Sequence, residues 1–306
     1  MLKELKERIL VSILISPLII LIALPNLQIP IYLGFVYLFF IALSLIILFE
    51  VIRMFESKYY YIPKLKKTIA ILYIIVSTIT LSSISIVEKK LFITFSEKIL
   101  INNDIGSIST IIFSLITLTL ILILSTSSIN ISKQNYLLSD SILLTTSLYI
   151  SITISSMLVL KLIDIDNNTF FLAFVLGVGW FSEAGALLIG KILGKTKLSF
   201  IASPNKTLEG TLGMVAFGIL GGVIFKLILS SLGYENPLFI PSYNDAIILS
   251  IVIVILCFFG DIIESLYKRF FDFKDSSNIL LSLGGIFDVF DGVMLASFGV
   301  MIYLLI

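Results

Sequence analysis

Apolar runs long enough to cross a bilayer recur along almost the whole chain, near residues 9–25, 29–51, 68–87, 108–126, 141–163, 169–190, 210–232, 246–260 and 286–306. A membrane-spanning helix takes about 20 predominantly apolar residues. With 58% of the 306 residues hydrophobic and 13% charged, the apolar content fills about nine such spans and leaves little for a separate soluble domain. The sequence therefore predicts an all-α, polytopic integral membrane protein of about nine transmembrane helices. The first run follows Lys3, Lys6 and Arg8. Its length, and the lack of a small-x-small site after it, favour a retained helix over a cleaved signal peptide.

The placement of Lys and Arg sets the expected orientation, because basic residues in short loops stay preferentially on the cytoplasmic side. With the N-terminus inside, 16 of the 21 basic residues fall in inside segments. Lys89, Lys90 and Lys98 fall outside, and Lys161 and Lys226 fall within spans. The expected arrangement is N-inside and C-outside. The stretch from about 68 to 160 is an Ile/Leu/Ser/Thr mixture with few ionisable groups, so residues 1–168 read as transmembrane scaffold and 169–306 as the transmembrane region that would carry any functional site. No internal repeat supports an inverted-repeat transporter.

The composition also removes chemistries. The chain has no histidine, which excludes a Ser-His-Asp triad, an imidazole-ligated zinc and a histidine proton relay. Its single cysteine, Cys257, excludes an intrachain disulfide and a CxxC site. A net charge of +1 gives no sign of a nucleic-acid partner.

Ionisable residues gather in three clusters at the edges of the late spans, where a charge costs roughly 2.5–3.5 kcal/mol on insertion scales. The first is Gly260 to Arg269, in which Asp261, Glu264, Ser265 and Lys268 lie at i, i+3, i+4 and i+7 on one helical stripe with Arg269 beside it. An interfacial helix end with snorkelling cations would look the same. The second runs from Lys274-Asp275-Ser276-Ser277 to Gly284-Gly285, then Asp288 and Asp291 at i, i+3 on the first turns of the last span. Helix capping accounts for one of these aspartates and poorly for the second. With Asp261 they would form an all-oxygen site suited to Mg²⁺. The third is Ser203-Pro204-Asn205-Lys206-Thr207-Leu208-Glu209-Gly210, a loop entering a span, which reads either as a phosphate cradle or as a plain capping segment. Two weaker matches carry nothing. Gly185 to Gly190-Lys191 nearly fits a Walker A loop but has Ile192 where Ser or Thr must stand, and Gly218-x-x-x-Gly222 is a helix-packing motif.

On these clusters the sequence resembles the phosphatidate cytidylyltransferases, the CDP-diacylglycerol synthases of phospholipid synthesis. The family's Ser-Pro-x-Lys-Thr-x-Glu-Gly is matched by Ser203 to Gly210 and its Gly-Asp-x-x-Glu-Ser-x-x-Lys-Arg by Gly260 to Arg269. Its Lys-Asp-Ser, Gly-Gly and paired aspartates are matched by Lys274-Asp275-Ser276, Gly284-Gly285 and Asp288/Asp291. The resemblance covers about the last 110 residues. Three departures stand out. Leu281-Ser282-Leu283 replaces the family's Pro-Gly-His, Val289 replaces an Arg, and Glu183 in Trp180 to Leu187 replaces a shorter acid.

The resemblance implies an Mg²⁺-dependent nucleotidyltransferase that joins CTP to phosphatidic acid and releases pyrophosphate, at the cytoplasmic face of the cell membrane. The nucleophile would be a phosphate monoester whose second pKa is about 6, so no strong general base is needed. By carry-over, Asp261, Asp288 and Asp291 would hold the metal, with a second cation left open. Lys206, Lys268 and Arg269 would hold phosphates, and Ser203 and Ser265 would donate hydrogen bonds. Asn205, Thr207 and Lys274 would lie against substrate, and Glu264 and Asp275 would orient the cations. A homodimer stays open. The competing classes are a CTP-dependent lipid-alcohol kinase, a silent paralogue and a transporter. A transporter predicts charges spread over several mid-membrane helices, whereas these crowd at helix ends.

Overall fold

The computed structural model describes residues 30–59, 62–95, 133–167, 170–198, 203–233 and 242–305. Seven α-helices account for most of them: α1 (Pro30–Lys58), α2 (Lys64–Phe95), α3 (Lys133–Asn167), α4 (Phe171–Leu193), α5 (Leu208–Ser231), α6 (Tyr243–Phe270) and α7 (Ile286–Leu305), with a 3₁₀ turn at Leu281–Leu283 before α7. Among the described residues there is no strand, only an isolated antiparallel bridge between Lys197 and Thr207. Six of the helices, all but α2, are long and apolar enough to cross a membrane, which bears out an all-α membrane protein. The described part of α2, at the expected span near 68–87, opens on Lys64, Lys66 and Lys67. The spans expected at 9–25 and 108–126 lie outside the described residues.

The described residues fall into two compact units, 30–162 and 163–305. The first holds α1, α2 and most of α3. Its interior is unusually polar for a membrane scaffold. Lys66 and Asp140 form a buried ion pair between α2 and α3, and Ser77 donates to Ser151 at 2.8 Å across the same pair of helices. Between α1 and α2, Glu56 takes Lys67 Nζ at 2.8 Å and the backbone N–H of Ile62 at 2.7 Å. Inter-helix hydrogen bonds of this kind hold helices together where lipid offers no hydrophobic drive.

The second unit is a bundle in which α4 packs on α5, α6 and α7, and α6 packs on α5 and α7. Glycine sets the spacing. A Cβ on Gly185 would meet the Gly213 carbonyl at 2.7 Å, and one on Gly213 would meet the Gly185 carbonyl at 2.9 Å, so α4 and α5 approach backbone to backbone. Gly218 makes room for the Val254 side chain of α6, and Gly222 for Ser250 and the Ala246 carbonyl of the same helix, the packing role expected of that motif. Large apolar residues such as Leu188, Ile192, Leu212, Leu220 and Ile255 point outward and are exposed. On a soluble bundle they would form aggregating patches; on a membrane helix they face lipid.

Capping fits the helices to their loops. Ser242 accepts the N–H of Asp245 while the Asp245 carboxylate accepts the N–H of Ser242, a complete capping box at the start of α6. Lys268 and Arg269 occupy its last turn, where cations favour the helix dipole. Trp180 ties α4 to the opening of α7: its indole N–H donates to the Val289 carbonyl at 3.2 Å, and its ring meets Phe290 edge-on at 5.9 Å.

Candidate active site

The polar ends of α4 to α7 surround a cavity of about 450 Å³. From α6 come Asp261, Glu264 and Lys268, from α7 Asp288 and Asp291, from α4 Glu183 and Lys191, and from the α4–α5 loop Ser203, Asn205, Lys206 and Thr207. The helical stripe read from the Gly260–Arg269 spacing thus faces the cavity with its charged members.

Three carboxylates converge. Asp261, Glu264 and Asp291 each present an oxygen, and these oxygens all lie within 4.8 Å of one another. The approach depends on Gly260 and Gly292. A Cβ on Gly260 would meet the Asp291 carbonyl at 2.5 Å and Gly292 Cα at 2.8 Å, so α6 and α7 touch backbone to backbone beside the acids. Two lysines sit among them. Lys206 Nζ pairs with Asp261 Oδ2 at 2.7 Å and lies 4.5 Å from the centre of the Phe258 ring. Lys268 Nζ pairs with Glu264 Oε2 at 2.8 Å and with Asp288 Oδ1 at 2.7 Å. Ser265 donates to Asp261 Oδ1 at 3.2 Å. Glu264 is 1% exposed, and its Oε1 has no hydrogen-bond donor among the described residues.

Asp288, expected beside Asp261 and Asp291 as a ligand, is engaged otherwise. Its Oδ2 accepts the N–H of Gly285 at 2.7 Å, the N–H of Ser276 at 2.8 Å and the Ser276 hydroxyl at 2.6 Å, while its Oδ1 takes Lys268. The bond back to Gly285, three residues upstream, is half of a capping box, so Asp288 closes the N-terminus of α7 and fixes the Ser276 loop. Gly284 must be glycine here: its φ is +87°, and a Cβ would stand 2.7 Å from Asp288 Oδ2. The acid that joins the trio instead is Glu264, expected only as a partner for cations.

The loop between α4 and α5 is held from below by Glu209. Its carboxylate accepts the backbone N–H groups of Lys195 and Thr196 at 3.1 Å. Across the loop, Leu198 N–H donates to the Lys206 carbonyl at 2.9 Å and Leu208 N–H to the Thr196 carbonyl at 2.8 Å. Thr207 caps α5, its hydroxyl accepting the Gly210 N–H at 3.1 Å. Lys206 thus directly precedes Thr207, which is both bridged to Lys197 and the cap of α5.

Of the residues singled out from sequence, Ser203, Asn205, Lys206, Thr207, Asp261, Glu264, Lys268, Asp288 and Asp291 line the cavity, and Ser265 touches it through Asp261. Arg269, Lys274 and Asp275 do not line it. Arg269 is exposed and donates to the Phe273 carbonyl at 3.1 Å, about 100° around the helix from Lys268; Lys274 and Asp275 are exposed in the loop beyond. Two cavity residues were not read as site residues, Glu183 and Lys191. Their signal was available: Glu183, Leu187 and Lys191 stand at i, i+4 and i+8 on α4, one face of a helix.

The model of the Cytidylyltransferase family matches residues 6–306, nearly the whole chain. A phosphatidate cytidylyltransferase of Staphylococcus epidermidis is 35% identical over 127 residues, covering 40% of this chain and 45% of that protein. One from Bacillus subtilis is 38% identical over 115 residues, covering 38% and 40%, and one from Staphylococcus aureus is 38% identical over 117 residues, covering 38% and 41%. The matched segment therefore spans less than half the length of these curated relatives. Because the family's own pattern extends across the whole chain, with the charged helix ends of α4 to α7 inside it, this protein belongs to the Cytidylyltransferase family.

Proposed function

We propose that the chain is a phosphatidate cytidylyltransferase, joining CTP to phosphatidic acid with loss of pyrophosphate. The observation that carries the reading is the convergence of Asp261, Glu264 and Asp291, from two helices, in a cavity that also holds Lys206 and Lys268. Family membership and the names of the relatives support it.

The donor set fits a divalent cation. All three groups are carboxylates, the oxygen chemistry that Mg²⁺ prefers. Glu264 Oε1 is buried with no donor among the described residues. Five carboxylates line the cavity against three lysines, a formal excess of two negative charges, and a triphosphate could not enter such a site without added positive charge. When bound, Mg²⁺ would neutralise and polarise the nucleotide phosphates. The protein's own residues do the rest. Lys206 and Lys268, each already aligned by carboxylates, neutralise phosphate oxygens, and Ser203, Asn205 and Thr207 offer polar groups at the loop edge. The incoming phosphate monoester is largely dianionic at neutral pH, so positioning and charge cancellation suffice. The remaining features of the reading are nine spans, N-inside and C-outside, with residues 1–168 as scaffold and the site open to the cytoplasm of the cell membrane. The basic-residue distribution supports them.

Purified protein in detergent, given radiolabelled CTP, phosphatidic acid and Mg²⁺, is expected to form CDP-diacylglycerol and pyrophosphate. Excess chelator should abolish turnover and added Mg²⁺ restore it. Transfer of phosphate to a lipid alcohol with release of CDP would overturn the reading, and turnover indifferent to chelation would remove the metal from it.

Glu209 supplies a second expectation. Glu209→Ala removes the acceptor for the Lys195 and Thr196 N–H groups, so Lys206 loses its fixed position. We expect the KM for CTP to rise several-fold, on the scale of one or two lost hydrogen bonds, with the melting temperature nearly unchanged. Glu209→Gln, which keeps one acceptor oxygen, should lose less. Equal KM values in all three proteins would show that the loop needs no clamp.

A further inference from the structure

The cavity contains a cation to which neither motif nor relative assigns a role. Lys191 lines it from α4, and its situation differs from that of the other two lysines. Lys206 is committed to Asp261 at 2.7 Å, and Lys268 to Glu264 at 2.8 Å and Asp288 at 2.7 Å. Lys191 carries no ion pair among the described residues and is exposed at the rim. It is the cavity lysine that has no carboxylate partner among the described residues.

Its position is defined by the helix. Glu183, Leu187 and Lys191 line the cavity from one stripe of α4. Eight residues at 1.5 Å rise separate the acid from the lysine by about 12 Å along the axis. The cavity thus has an acidic end, where Glu183 stands, and a basic end at Lys191. The neighbouring Gly190 holds that basic end against the loop: a Cβ there would lie 3.5 Å from the Thr207 hydroxyl and 3.6 Å from Gly210 Cα. The Thr207 hydroxyl is therefore at the end of α4 that carries the free ammonium, and Ser203 and Asn205 line the same cavity. A lysine in the last turn of a helix is also favoured by the helix dipole alone; that does not account for its facing a cavity with phosphate-compatible donors beside it.

We propose that Lys191 is a substrate-binding residue that pairs with a phosphate group held at the basic end of the cavity. The inference rests on the cytidylyltransferase reading, and the phosphate has two possible sources, the CTP triphosphate and the phosphatidate headgroup.

The test measures KM for each substrate separately in wild type, Lys191→Gln and Lys191→Arg, together with equilibrium binding of CTP plus Mg²⁺ and of detergent-dispersed phosphatidic acid to each protein. Loss of a charge-assisted hydrogen bond should raise one of the two KM values and the matching dissociation constant about tenfold or more, with a smaller change in kcat and recovery in Lys191→Arg. A rise confined to CTP identifies the nucleotide as the source, and one confined to phosphatidic acid identifies the headgroup. Unchanged KM and binding for both substrates in Lys191→Gln would overturn the proposal. A wild-type protein that turns over neither substrate would count against the cytidylyltransferase reading alone, since the binding arm still decides whether Lys191 holds a phosphate.

Discussion

Replacing Asp261 by asparagine is expected to lower CTP-dependent synthesis of CDP-diacylglycerol by about a hundredfold to a thousandfold, the scale on which a fixed group at a reacting centre acts, while the protein stays folded and inserted. Asn has the shape of Asp and can still accept from Ser265, which donates to Oδ1 at 3.2 Å. It cannot supply the negative charge that Asp261 contributes to the trio with Glu264 and Asp291. The structural cost should be small, because the Asp261 side chain is 37% exposed and half-exposed ion pairs contribute little to stability. Activity and folding therefore separate in this variant. The check is turnover measured beside the elution profile and melting temperature in detergent. Near-normal turnover would remove Asp261 from the proposed metal site; a collapsed elution profile would show that its pair with Lys206 is structural.

Much of this site was legible in the sequence because its elements are local. The stripe Asp261, Glu264, Ser265 and Lys268 follows from helical geometry, and once Gly260 to Arg269 is helical the four side chains must share a face. Spacing also warned that one of two aspartates at i, i+3 could be a cap. The entry position pointed to Asp288; what spacing could not show is how fully that carboxylate is engaged, since this depends on a contact twelve residues away: the Ser276 backbone and hydroxyl both reach Asp288 Oδ2. With that oxygen filled by donors and the other by Lys268, the third carboxylate beside Asp261 and Asp291 comes from Glu264. Its place beside the other two emerges only from the packing of α6 on α7. Arg269 shows the converse. It is adjacent in sequence to Lys268 yet lies about 100° around the helix, and the angle outweighs the adjacency.

The discounted stretches illustrate a second limit. Gly185 to Lys191 is no Walker loop; it lies in the middle and last turns of α4. Its glycines still matter, because Gly185 lets α5 approach α4, and just past the helix Gly194, where a Cβ would stand 2.9 Å from the Thr207 hydroxyl, lets the cap approach the helix end. Lys191 is brought into the cavity by that packing. A search for motifs passes over such a residue, because its role lies in the spacing of helices and not in the letters around it.

The same spacing leads to the second large effect, expected at Gly260. A methyl group there would stand 2.5 Å from the Asp291 carbonyl oxygen and 2.8 Å from Gly292 Cα. Both are backbone atoms that no rotamer change can move aside, so Gly260→Ala must push α6 and α7 apart. Asp261 follows Gly260 directly and Asp291 is the residue approached, so the separation falls on the carboxylate trio itself. A shift of about 1 Å in a positioned group can cost about 10²-fold in rate, and forcing an extra carbon into a tight interface costs about 1–3 kcal/mol. Gly299→Ala is the matched control. It lies on the same α7 face against α6, and the atoms a Cβ would meet belong to the Leu256 side chain, which can rotate. We expect Gly260→Ala to lose about a hundredfold in turnover with a moderate fall in melting temperature, and Gly299→Ala to keep most activity even where its stability falls similarly. If Gly260→Ala retained turnover within twofold of wild type, the close approach of these two helices would not be what assembles the site. If both variants lost activity in step with stability, the loss would report general loosening of the bundle and not displaced carboxylates.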